Sequence, residues 1–429
     1  MLQPFPISTL MSAPSGVQPS VQGPVAVGDL LSEASKRYEQ EFLQRPDAFS
    51  VSPAAIPLLG TSAVHENISV SVAVDRYTVI VGRARQESSE VRVVSTSSGT
   101  VCAFQLPPIE GDGDEPAVEV RKCDWCQIIR SLIQELRQLS GIDISGFTAV
   151  VHGTIPPNQS MNSSAALEVA MAALVQRLFP QSFCTVSQMD MLLACRRADQ
   201  KCLAIGSNAF TSSALEQLTC TFSRQMHAIH ADAGDMRIFD FISFPSQPTI
   251  RLLLIAPLIS QECLQLPLDR WQDSPTEDEL AVAAAQLMGR PSLRDMTIED
   301  VDGAPLDDRQ RKAVMGVVLE ANRVNQLVSM QRSCTAEDLG ALLNSDRLAN
   351  DECLRLLSAI RFLPGIFGCR RVNGSYQSSS GFAALAVADV GVCGSYLVKF
   401  AQDYNCTVHV LTPADGAYSS YLKFMAPQH

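Results

Sequence analysis

No cluster of lysines and arginines forms anywhere along this chain, and acidic residues outnumber basic ones to give a formal net charge of −12. Nucleic acid and anionic membrane surfaces attract positive charge, so neither is expected as a partner. Long uninterrupted apolar runs are lacking too: Gly381 to Val398 comes nearest, Asp389 interrupts it, and no membrane span is expected. The 13 cysteines have no paired spacing apart from Cys123 and Cys126. That pattern excludes a disulfide framework and fits a reducing cytoplasm.

Cys123-Asp-Trp-Cys126 has neither a second CxxC nor a nearby histidine pair. It reads as two thiols opening an amphipathic helix that continues through Ile128, Ile129, Leu132, Ile133 and Leu136. The acidic turn Glu110 to Glu115 has the wrong spacing for a calcium loop, so no metal site is expected from it.

What is present is a chain of 429 residues, 46% of them hydrophobic and 18% charged, enough for a large core and two globular domains. Residues 1–27 are rich in Pro, Ser, Gly and Gln and have no apolar signal core, which predicts a flexible tail. Apolar spacing then predicts a helix over Leu30–Phe42, strands over Ile68–Val81, Val91–Val94 and Val101–Leu106, and a helix over Trp125–Leu139. A strand Gly146–His152 follows, then a polar loop, then a helix Ser163–Phe179 so apolar on every side that it should be buried. In the second half the pattern predicts a strand Thr249–Ile255, a helix opened by Thr276-x-x-Glu279 and closed by Gly289, and a long helix Asp308–Met330. Strands Phe382–Val392 and Thr407–Leu411 flank a helix Ser395–Asp403. The class is α+β.

The segment Gly153-Thr-Ile-Pro-Pro-Asn-Gln-Ser-Met-Asn-Ser-Ser-Ala-Ala-Leu-Glu-Val-Ala170 resembles the phosphate-binding motif of galactokinases, which ends in serines followed by Ala-Ala-Leu-Glu-Val-Ala. Ala73-Val-Asp-Arg76, Ser292-Leu-Arg-Asp295, Glu320-Ala-Asn-Arg-Val324 and Leu363-Pro-Gly-Ile-Phe-Gly368 are similar to further family segments. The resemblance implies the two-domain fold of the galactose, homoserine, mevalonate and phosphomevalonate (GHMP) kinases. Its N-terminal domain, residues 28–220, would carry the phosphate loop, and residues 221–429 would form an α/β sandwich-like C-terminal domain.

Such a kinase needs amides and hydroxyls around the ATP phosphates, a magnesium ion, a carboxylate to take the sugar hydroxyl proton and a cation to steady the moving charge. The family's first motif, Arg-x-Asn-x-x-Gly-Glu-His-x-Asp, aligns with Ser52 to Val64. There Ala55 stands at the catalytic arginine, and Thr61, Ser62 and Val64 stand at the sugar-binding Glu, His and Asp; Pro53 and Gly60 persist. His65 and Glu66 lie just downstream as displaced versions of that pair or as ordinary loop residues. In the phosphate loop Asn158 and Ser160 replace glycines and Asn162 replaces the first serine, leaving Ser163 and Ser164. Those residues either hold phosphate or merely cap the helix. The catalytic aspartate of Gly-x-Met-Asp-Gln falls on Thr211, and its glutamine on Ser212. A threonine is no carboxylate base, and general-base catalysis contributes about 10²–10⁴-fold. The third motif, glycine-rich in the family, reads Arg371 to Ala384, with Gly381-Phe382 followed by Ala383 and Ala384.

These departures imply a galactokinase-like protein with impaired catalysis that acts by binding a sugar, a nucleotide or a protein partner. ATP with magnesium is the cofactor pair the resemblance implies, if any binds. The alternative is an active ATP-dependent sugar 1-kinase with another acceptor and a relocated base such as Glu66 or Asp199.

Overall fold

The computed structural model describes residues 18–60, 68–107, 124–141, 144–156, 161–204, 214–245, 250–258, 277–290, 293, 296–330, 333–344, 351–373 and 382–422. Two sheets organise them. The first is built on a long hairpin, β2 (Ala48–Leu59) and β3 (Ile68–Arg85), whose strands pair antiparallel along most of their length. One end of β3 pairs with β6 (Gly146–Gly153) and the other with β7 (His227–Asp232), which in turn pairs with β8 (Arg237–Ser243). β4 (Glu90–Ser95) runs parallel to β6 and carries β5 (Val101–Gln105) on its outer side.

Alternation gives this sheet two apolar faces. Val79, Val81, Val94 and Val150 pack against Leu30, Ala34 and Tyr38 of α1 (Val27–Phe42). On the other face, Ile80, Val91, Val93, Phe147 and Ala149 pack on α2 (Asp124–Ser140), α3 (Ser163–Leu178) and α4 (Gln188–Ala204). Cys126 lies buried in α2, as the thiol-opened helix predicted, while Cys123 lies outside the described residues. The short helix α5 (Ala214–Phe222) lies against α3 and β2.

The second sheet has five strands in the order β1, β12, β9, β11, β10. These are β1 (Ser20–Gln22), β9 (Ile250–Pro257), β10 (Ile366–Asn373), β11 (Phe382–Asp389) and β12 (Cys406–Leu411). Leu253 and Ile255 of β9 face α10 (Asp351–Arg361) and α11 (Val390–Asp403). Leu252 and Leu254 face the other way, into a core shared with Ala54, Ile56, Leu58, Val70, Val72 and Val74 of the first sheet. Three further helices complete this half: α6 (Glu277–Leu287), α7 (Ile298–Asp302) and α8 (Asp308–Met330) pack on one another through Ala281, Ala284, Val301, Val314 and Val317. A last helix, α9 (Ala336–Leu343), lies against β10.

Several expectations are corrected. Part of the expected 1–27 tail is ordered: β1 pairs parallel with β12, half-buried Val21 packs against the core of the second sheet, and α1 already starts at Val27. A division at residue 220 does not follow the sheets, because β7, β8 and β13 (Tyr418–Tyr421) all belong to the first one. The predicted strand Phe382–Val392 stops at Asp389, whose carboxylate accepts the Gly391 N–H at 2.9 Å and opens α11 five residues earlier than expected.

Candidate functional site

Pro53 lies along strand β2, and Gly60 directly follows its end. β2 accommodates two prolines, which cannot donate to the ladder, through irregular register between Pro53 and Ala54 and between Pro57 and Leu59. Ala54 faces the core between the sheets, and its neighbour Ala55 faces the other side. Ala55 is wholly buried there among Ala165, Ala166 and Val169 of α3 and Leu215 and Leu218 of α5. A methyl group stands there, with apolar side chains closed around it.

Helix α3 begins beside Ala55. Asn162 precedes it in the left-handed region (φ 48°, ψ 60°), and its side chain caps no N–H of the helix. Asparagine tolerates this conformation better than most residues. The first-turn amides lie beside the half-buried Ser163 and Ser164, an arrangement that fits an anion such as a phosphate group. Among the described residues no group of three or more His, Cys, Asp or Glu comes together to hold a metal.

Within the helix, Glu168 is fully buried and accepts a 2.5 Å hydrogen bond from Gln217 Nε2 on α5. The conspicuous Glu of Ala-Ala-Leu-Glu-Val-Ala therefore ties α3 to the helix that follows the expected aspartate stretch. One carboxylate in an otherwise apolar helix was the signal for such a tie.

At the end of β2, Gly60 adopts φ +91°, and a Cβ there would stand 2.8 Å from Ser69 Cα, so only glycine fits. Its N–H donates to Glu320 Oε2 at 3.2 Å. Glu320, buried on α8, also receives Arg323 at 2.6 Å and Arg370 of β10 at 3.0 Å. Arg370 reaches further, to the Leu58 carbonyl at 2.9 Å. Burial alone would raise the Glu320 carboxyl, but the guanidiniums, Arg370 first, bring it below its ordinary value. This knot joins both sheets at the root of the first motif. Sequence reading marked Glu320 and Arg323 only as part of a family-like segment, and Arg370 not at all.

Asp199, the alternative base, is fully buried on α4 and paired with Arg196 at 3.2 Å. Ala383 and Ala384 are buried mid-sheet in β11, paired with Val372 and Arg371. Thr61, Ser62, Val64, His65, Glu66, Asn158, Ser160, Thr211 and Gly381 lie outside the described residues.

No protein-family model matches the chain. Full-length relatives do: human galactokinase is 22% identical over 409 residues, covering 91% of this chain and 97% of the relative. The galactokinase of Thermococcus kodakarensis is 22% identical over 294 residues, 68% of this chain and 74% of the relative. Among solved structures, Lactococcus lactis galactokinase complexed with galactose superposes with a TM-score of 0.72 at 18% identity, covering 91% of this chain and all of the other. The fold is that of the GHMP kinases, and in sequence the chain is similar to galactokinases. Mevalonate kinase of Methanococcus jannaschii matches more distantly, with a TM-score of 0.53 at 11% identity, covering 86% of this chain and 98% of the other. No described helix is long and apolar enough to cross a membrane.

Proposed function

We propose that this protein uses a galactokinase-type cleft to bind a sugar or a nucleotide, with efficient phosphoryl transfer lost. The observation that carries the reading is that Ala55, which the resemblance aligns with the arginine, is sealed inside an apolar cluster. No cation can enter there to stabilise a transferring phosphoryl group without dismantling the packing of α3 on α5. The start of α3 keeps what ground-state binding needs, since Ser163, Ser164 and the first-turn amides fit the phosphates of ATP with its magnesium. A cytoplasmic location accords with buried cysteines such as Cys195, Cys220 and Cys406 remaining thiols. The active-kinase alternative gains nothing from Asp199, which is buried and ion-paired.

Calorimetric titration with ATP-magnesium and with a panel of hexoses, followed by a product assay on whatever binds, tests this. Binding without sugar phosphate formation is expected; robust ATP-dependent phosphorylation of a sugar by the purified protein would overturn it.

A further inference from the structure

On the α1 face of the first sheet, opposite the start of α3, a second chemical arrangement stands apart from the cleft. Val150 of β6 packs towards α1, while Ala149 and Val151 pack on the other face, so His152, two residues beyond Val150, shares the α1 side. Its Nδ1 lies 2.7 Å from Thr96 Oγ1, and its Nε2 lies 3.1 Å from Glu33 Oε2. An ionised carboxylate can only accept, so Nε2 carries the imidazole proton and Nδ1 receives the threonine O–H. That tautomer lets the imidazole act as a general base towards the hydroxyl, with the carboxylate holding the ring.

The three groups come from three elements, and each is braced. Thr96 follows β4 directly, and its N–H donates to the Val151 carbonyl at 3.0 Å, which sets it beside His152. The turn 95–100 is closed by Ser95 N–H to Thr100 O at 3.0 Å, by Ser95 Oγ with Ser97 Oγ at 3.1 Å and by Ser98 Oγ with Thr100 Oγ1 at 2.5 Å. Trp125 Nε1 donates to Thr100 Oγ1 at 3.0 Å from α2. Thr96 and His152 are half-buried, whereas Glu33 is 64% exposed, so solutes reach the group.

We propose that Thr96 is a nucleophilic hydroxyl that takes an acyl group from small activated acyl esters, with His152 as its base and Glu33 as the positioning residue. Thr96 Oγ1 adds to the ester carbonyl carbon while its proton passes to His152 Nδ1. The tetrahedral adduct collapses, breaking the bond to the leaving oxygen, which takes the proton back from His152. The products are O-acyl Thr96 and the free alcohol or phenol, and imidazole returns to its starting state. This step is independent of ligand binding in the cleft.

The test is incubation of the full-length protein with 4-nitrophenyl acetate, following phenolate release and mapping the acetyl adduct by peptide mass. Acetylation of Thr96 is expected, absent in Thr96→Val and kept in Thr96→Ser. His152→Gln should slow it by about 10²–10⁴-fold. Glu33→Gln, an exposed change that spares the fold, should slow it less, with Glu33→Asp restoring the rate. A merely structural tie between α1 and the sheet would leave Thr96 unmodified. Absence of the Thr96 adduct overturns the proposal, and so does an adduct whose rate ignores both the His152 and the Glu33 variants.

Discussion

Arg370 and Glu320 meet at 3.0 Å across the seam between the two sheets, and the same guanidinium holds the Leu58 carbonyl at the end of β2. Removing one partner of a buried pair leaves the other uncompensated, so Glu320→Ala should lower the unfolding free energy by about 3–5 kcal/mol. The Glu320 carboxyl is held below its unfolded value. Its stabilisation is therefore complete above the usual carboxylate range and lost as pH falls through the folded value. Urea melts at neutral and acid pH check both points: the gap between wild type and variant should narrow in acid.

Ala55→Arg would introduce the arginine that the motif resemblance aligns here, but into a closed apolar cluster. Burying an unpaired guanidinium costs several kcal/mol, on the order of the penalty for any ion moved out of water. The variant should melt far below wild type and gain no sugar kinase activity. A variant of unchanged melting temperature would show that the pocket is open after all.

His409 of β12 is 1% exposed, and burial, with help from the Arg76 charge, pushes its imidazole down from 6.5 to about 4. The unfolded chain binds this proton more readily, so stability falls as pH drops from about 6.5 towards 4. The loss across that window is on the order of 3 kcal/mol. His409→Gln should flatten the slope in a series of denaturant melts between those pH values.

Gly340 of α9 and Gly368 of β10 lie backbone against backbone, and a Cβ on Gly368 would run into the Gly340 carbonyl. Gly368→Ala should therefore cost about 1–3 kcal/mol by forcing helix and strand apart. A smaller thermal shift for Gly391→Ala in the same assay provides the contrast, because a Cβ at Gly391 meets only the Asp389 carboxylate at 3.1 Å.

The long helices were legible because their pattern is local. The valine stripe of Asp308–Met330 marked α8 to both ends, and the apolar run after Ser163 marked α3. β2 was not, since Pro53 and Pro57 speak against a strand and only the paired hairpin, with its register shifts, accommodates them. Val390-Gly-Val392 looked strand-like because β-branched residues favour extended backbone, whereas the Asp389 cap decided for helix. The resemblance put Ala55 at the arginine position, but what closes around it comes from α3 and α5, more than a hundred residues away. Glu320 gathers Gly60 and Arg370 from sequence distances of 260 and 50 residues, over which no periodicity speaks.

The last described strand, β13, pairs with β2, and the residues before it stitch the same region: Thr412 and Asp75 exchange two hydrogen bonds, and Gly416 N–H donates to Ser223 O at 2.8 Å. The consequence concerns synthesis. Residues 46–85 leave the ribosome well before Tyr418–Tyr421, and the edge of their sheet stays open until those residues have emerged. The nascent first half must wait with an unpaired strand edge, exposed to aggregation, for a partner made more than three hundred residues later.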